Sequence, residues 1–141
     1  MMRIVVDTNV LVSACIGNGP ASRVIELCLT GELTPVIGAA LFLEYLDVIE
    51  REPLFRAARL SLEERRLLLR AFASRSQWQE VFYLWRPNLP DEAENHVFEL
   101  AVAANSATIV TYNQRDFRQR ELRFPDLRVV TPDVFLEERN S

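Results

Sequence analysis

Ile4-Val5-Val6-Asp7-Thr8-Asn9-Val10-Leu11-Val12 carries most of the information about how this chain folds. Three apolar β formers follow one another without alternation, which reads as a strand buried on both faces. They run directly into a carboxylate, and apolar residues resume at Val10. A carboxylate at the end of a buried strand is costly unless something binds it. In open α/β sheets that position faces the crevice where ligands sit. Asp7 is therefore the first candidate for handling a cation or a phosphate-bearing substrate.

The rest of the chain extends this pattern. Pro20 opens a helix that runs to about Thr30 and is closed by Gly31. Leu33 to Ile37 reads as a second strand. Ala39 to Arg51 reads as a helix with Phe42, Tyr45, Leu46 and Ile49 on one apolar face, and Pro53 ends it. Ser61-Leu62-Glu63-Glu64 is a capping box, so a helix is expected from Leu62 to about Ser74. Gln79 to Trp85 is expected to be a strand, being rich in aromatic and β-branched residues. Glu92 to Asn105 reads as a helix with Val97, Leu100, Ala101 and Ala104 on one face. Ala107 to Thr111 and Leu127 to Val130 read as strands, and Thr131-Pro132 opens a terminal helix. Strands alternating with helices predict an α/β fold of three layers, α/β/α, around a mostly parallel sheet.

The chain has 141 residues, which fits one domain over residues 1–141 with a sizeable core. No apolar run is long enough to span a membrane. Met1-Met2-Arg3-Ile4 shows no apolar signal segment with a cleavage site, so no signal peptide is expected. Cys15 and Cys28 lie in apolar helical settings and are expected to be free buried thiols in a reducing compartment. The net charge is -4, so the overall field does not favour nucleic acid. Every basic residue is arginine. The absence of lysine excludes a phosphate-loop lysine, a Schiff base and the lysine-assisted aspartyl phosphatase arrangement.

Acids recur where such a fold converges. Asp7 ends the first strand, and Glu44 sits in the otherwise apolar Leu41-Phe42-Leu43-Glu44-Tyr45-Leu46. Asp91, Glu92 and Glu94 open a helix, and Asn113 and Asp116 follow Ile109-Val110-Thr111. Clustered carboxylates raise one another's pKa, and a hard divalent cation with oxygen ligands relieves the repulsion. Structural roles compete with this reading. Asp91 also suits an N-cap, Glu92 and Glu94 suit a helix dipole, and Asp116 suits a turn. Asp7 is the acid for which local structure offers least explanation.

These residues carry a resemblance. The segment from Ile4 to Ala14 resembles the opening of PIN-domain ribonucleases, in the VapC-like branch of toxins from toxin–antitoxin pairs. Leu43-Glu44-Tyr45-Leu46-Asp47-Val48-Ile49 is similar to the second acidic helix of that branch. Leu89-Pro90-Asp91-Glu92-Ala93-Glu94-Asn95-His96 is similar to its third acidic segment. Ile109 to Phe117 resembles its fourth motif, and Val130-Thr131-Pro132-Asp133-Val134-Phe135 its ending. The resemblance implies an endoribonuclease that uses Mg²⁺ or Mn²⁺, held by Asp7, Glu44, Asp91, Glu94 and Asp116. Thr8, Asn9, Ser13, Asn95, Thr111 and Asn113 would orient these groups or bind phosphate. It further implies a cytoplasmic toxin acting on RNA, a small antitoxin partner and a homodimer.

Two departures stand out. Asn95 falls where many relatives have their third aspartate, and Asn113 where many have the fourth. A PIN-like module that binds RNA or protein with weakened catalysis is therefore the alternative. His96, the single histidine, is read as a partly exposed helix residue, with a general-acid role as the alternative. Arg115, Arg118, Arg120, Arg123 and Arg128 would line a loop or grip phosphates. Arg65, Arg66 and Arg70, interleaved with Glu63 and Glu64, predict a solvent-facing, ion-paired helix. Phe82, Tyr83 and Trp85 are expected in the core, with base stacking as the alternative.

Overall fold

The computed structural model describes residues 2–81, 92–105, 107–117 and 126–140, with the backbone alone for 92–95 and 116. Strand β1 (Arg3–Val6) leads into helices α1 (Thr8–Ile16) and α2 (Pro20–Leu29). Then come β2 (Thr34–Ile37), α3 (Ala39–Ile49), a 3-10 helix (Glu52–Phe55), α4 (Leu62–Ser74) and β3 (Gln77–Trp78). The last part holds α5 (Glu92–Ala103), β4 (Thr108–Val110), a second 3-10 helix (Gln114–Phe117), β5 (Val129–Val130) and α6 (Pro132–Asn140).

The five strands form one sheet in the order β3-β2-β1-β4-β5, and each adjacent pair is parallel. Ile4, Val5 and Val6 face Thr108, Ile109 and Val110. The chain winds outward from β1 to β3, then returns to place β4 on the other side of β1. The order therefore reverses between β1 and β4, and ligands of open α/β sheets bind outside the carboxyl ends of the strands at such a point. The three apolar residues of β1 are fully buried, as a strand covered on both faces requires. Helix α5 packs on β1, β2 and β4, with Val97, Leu100 and Ala101 buried. Ser61 and Glu64 form the expected reciprocal cap of α4. Gly31, at φ +86°, turns the chain out of α2 in a conformation that side-chain-bearing residues rarely adopt.

Three expectations need correction. The strand predicted over Gln79–Trp85 is Gln77–Trp78, and residues 82–85 lie outside the described residues. A strand pairs only as far as its neighbour runs, and β2 stops at Ile37 because Gly38 is already the N-cap of α3. After the Gln79 N–H donates to the Ile37 carbonyl at 2.9 Å, the partner strand ends. Leu46 is exposed; the buried stripe of α3 is Leu41, Tyr45, Val48 and Ile49. Half-buried Phe42 meets the ring of Trp78 edge-on at 5.2 Å.

The third correction concerns Arg65, which is 2% exposed rather than solvent-facing. Its Nε donates to the Ile49 carbonyl at 2.9 Å and one terminal nitrogen to the Leu60 carbonyl at 3.2 Å. The other pairs with Glu52 at 2.6 Å, and the guanidinium lies 4.1 Å from the centre of the Phe55 ring. Arg66 keeps the expected solvent-side pairing, with Glu50.

Cys15 and Cys28 are buried free thiols. Burial pushes the first up to about 11 and the second up to about 12. Only the thiolate reacts with disulfide reagents, so both cysteines are expected to be silent in the native protein and to react on unfolding. Titration with a chromogenic disulfide, with and without denaturant, checks this; rapid native reaction of either thiol would contradict it. Among the described residues, no helix is long and apolar enough to cross a membrane.

Candidate functional site

Asp7 follows the last residue of β1 and is the N-cap of α1, accepting the Thr8 N–H on Oδ1 at 2.8 Å. The strand-end acid thus has a structural task that the sequence reading missed. The cap uses one oxygen. The other, Oδ2, accepts the Thr111 hydroxyl at 2.7 Å from the residue after β4. Asp7 is 4% exposed and Thr111 fully buried, so the two strand ends meet inside the protein at the reversal of strand order.

Asn9 completes this knot. Its amide nitrogen lies 3.4 Å from both Asp7 Oδ2 and Thr111 Oγ1, and its carbonyl oxygen accepts the Tyr112 N–H at 3.2 Å. The Asn113 N–H donates to Thr111 Oγ1 at 3.0 Å, while residue 113 itself is exposed. Asn113 therefore meets this cluster through its backbone.

Glu44 reaches the same place from α3. The Thr8 hydroxyl donates to its Oε1, so Thr8 touches Asp7 through its N–H and Glu44 through its side chain. Oε2 of Glu44 lies 2.6 Å from Nε2 of His96 on α5. His96 is the partly exposed helix residue expected from sequence, with 13% of its side chain exposed; what went unseen there is its contact with Glu44. Its position directly after Asn95, in the acidic segment, was the one available signal.

Gly38 allows α3 and α5 to approach this closely. A Cβ there would sit 3.2 Å from Leu100 Cδ1 and 3.4 Å from the Gln79 carbonyl. Beside this junction a cavity of about 700 Å³ is bordered by Gly38, Trp78, Gln79, Val81, His96 and Leu100.

The two carboxyls are driven apart electrostatically. Burial raises Asp7 above the ordinary carboxylate value, and the charge of Glu44 adds to this; the Thr111 and Thr8 hydrogen bonds offset only part. For Glu44 burial also pushes upward, but hydrogen bonds from His96 and Thr8 and the charges of His96 and Arg51 outweigh it, leaving it lowered. Two neighbouring acids whose surroundings push their pKa values in opposite directions are a common arrangement at working sites.

Glu94 and Asn95 lie in the first turn of α5, two residues and one residue before His96, and Asp116 lies in the second 3-10 helix. Their side chains, and Asp91 altogether, fall outside the described residues, as do Phe82, Tyr83, Trp85, Arg118, Arg120 and Arg123. Ser13 sits further along α1, where its carbonyl accepts the Gly17 N–H. Arg115 is exposed, and Arg128 pairs with Glu138 at 2.6 Å. Among the described residues, no three His, Cys, Asp or Glu side chains are grouped to hold a metal.

Residues 3–115 match the family model described as PIN domain. The match takes in Asp7, Glu44 and the acidic start of α5 and ends one residue before Asp116. One similar solved structure is that of VapBC2 from Rickettsia felis bound to a DNA fragment from their promoter. The likeness has a TM-score of 0.57 at 20% identity and covers 91% of this chain and 97% of that one. At that identity it is a likeness of fold. No curated protein matches the chain.

Proposed function

The chain belongs to the PIN-domain family, and we propose that it is a Mg²⁺- or Mn²⁺-dependent endoribonuclease, the toxin of a toxin–antitoxin pair. The observation that carries this reading is the meeting of Asp7 and Glu44 across Thr8 at the reversal of strand order. The donors present are carboxylate, hydroxyl and amide oxygens, which suit a hard divalent ion. A buried carboxyl held above its ordinary pKa by burial and a like charge gains from a nearby cation. The residues therefore fit the ion. Asp7 and Glu44 would hold it, together with Asp91, Glu94 and Asp116.

When bound, such an ion activates water and stabilises the charge that develops on an attacked phosphodiester. The protein's own groups do the positioning. Thr111 and Asn9 hold Asp7 Oδ2, and Thr8 spaces Asp7 from Glu44. The resemblance to toxins implies a small antitoxin partner, a homodimer and a cytoplasmic location, and the likeness to VapBC2 supports the antitoxin partner. Incubating purified protein with RNA, with and without Mn²⁺ and with chelator, tests the reading. Metal-dependent cleavage is expected. RNA binding that needs no divalent ion, with no cleavage, would instead favour the binding module suggested by Asn95 and Asn113.

The third acidic segment gives a graded test. An amide oxygen ligates Mg²⁺ without bringing charge, so Asn95→Asp is expected to tighten Mn²⁺ binding and raise activity at low metal. Asp91→Asn and Glu94→Gln are each expected to weaken binding. Calorimetry showing unchanged affinity in all three variants would make this segment a helix cap.

A further inference from the structure

We propose that His96 is a positioning residue whose Nε2–H holds the Glu44 carboxylate facing Asp7 across Thr8, and that this contact sets cation affinity at the acidic site. The inference rests on the nuclease reading above. Both oxygens of Glu44 are engaged, Oε1 by the Thr8 hydroxyl from α1 and Oε2 by His96 Nε2 from α5 at 2.6 Å. A glutamate with only one restraint would still swing on its long side chain, and ordering it would cost entropy each time a cation bound. With both ends held, that cost is met on folding.

The direction of the bond follows from chemistry. An ionised carboxylate only accepts hydrogen bonds, so Nε2 must carry the proton. Nδ1 is buried and has no partner among the described residues. Nε2 is therefore the ring's hydrogen-bonding contact there, and it is committed to Glu44. A ring held this way acts through Glu44 rather than donating a proton to substrate. The partners come from α3 and α5, 52 residues apart in sequence, and they meet where Gly38 permits close packing. Partners of this kind tune a metal site by fixing the orientation and basicity of its ligands.

Two substitutions separate this role from mere packing. The side-chain nitrogen of glutamine falls near the place of Nε2, and that of asparagine near the place of Nδ1. His96→Gln should keep the bond to Glu44, and His96→Asn should lose it. With melting temperatures confirming that both variants fold, Mn²⁺ affinity should fall about 10–100-fold in His96→Asn. It should stay close to wild type in His96→Gln. Saturating Mn²⁺ should restore most of the cleavage rate of His96→Asn. In metal-free wild type, the ring ¹⁵N–¹H spectrum should show a proton on Nε2 whose signal moves on Glu44→Gln. Equal affinities in wild type and both variants would overturn the proposal, as would an equal fall in both or a ring signal indifferent to Glu44. Mn²⁺ binding that depends on Asp7 and Glu44 but not on His96 would overturn this inference alone. Mn²⁺ binding that ignores all three would overturn the nuclease reading with it.

Discussion

Asp7→Asn is expected to lower RNA cleavage by about 10²-fold or more while leaving the protein folded, on the scale seen when a charge-stabilising group is lost from other active sites. The substitution removes one formal charge from the place where the cation would sit. It leaves the local architecture in place, because asparagine caps helices as well as aspartate and can still accept the Thr8 N–H. Equal cleavage by purified wild type and variant, with contaminating nuclease excluded, would rule out the role given to Asp7.

The same variant makes a stability prediction of opposite sign. Burial first, and the charge of Glu44 second, raise the Asp7 carboxyl in the folded protein. As pH rises from the ordinary carboxylate range to the raised native value, the unfolded chain releases this proton more readily than the folded one. Stability from this group is therefore present at acid pH and lost across that window. Asp7→Asn cannot undergo the loss. In chelator at neutral pH it should melt above wild type, and the gap should close as pH falls below the ordinary carboxylate range. Identical melting profiles at all pH values would show that Asp7 carries no such penalty.

Arg65→Ala is expected to destabilise the fold by about 2–4 kcal/mol, from carbonyls that lose a charged donor at about 1–3 kcal/mol each. Arg65 joins the end of α3 at Ile49, the residue before the α4 cap at Leu60, and the 3-10 helix through Glu52 and Phe55. Its planar fork serves three directions at once. A single ammonium cannot, so Arg65→Lys should recover little. Arg66→Ala on the next position, whose pair with Glu50 is half exposed, should leave the urea midpoint almost unchanged. Coincident midpoints for Arg65→Ala and Arg66→Ala would contradict the burial argument.

Features that depend on near neighbours were legible in the sequence. The apolar run Ile4–Val6, the Ser61–Glu64 box, Pro20 at the start of α2 and the Val97-Leu100-Ala101 stripe each express a preference decided within a few residues. The structure has each of them where the pattern indicates. Where the reading slipped, the missing information lay elsewhere in the chain. Gln79-Glu80-Val81 opens a stretch with the composition of a strand, but β3 ends where β2 ends. Arg65 and Arg66 look alike in a charged helix, yet one turns inward onto carbonyls contributed by two other segments. Leu46 follows Tyr45 into the pattern of an apolar face that α3 actually turns to Leu41 and Val48.

From sequence alone, the alternation of strands and helices determined a parallel α/β fold, and four acidic motifs in order determined the family. Periodicity and capping are local, so they survive without knowledge of what lies opposite. The tertiary structure decided which groups touch. Thr111 comes to Asp7 from 104 residues away and His96 to Glu44 from 52, and nothing in the spacing of either pair announces the contact. It also gave Asp7 two tasks at once, capping α1 with one oxygen and receiving Thr111 with the other. The physical reason is that charge and hydrogen bonding act through space over a few ångströms, and only the winding of β1 beside β4, with α3 against α5, brings those atoms within that range.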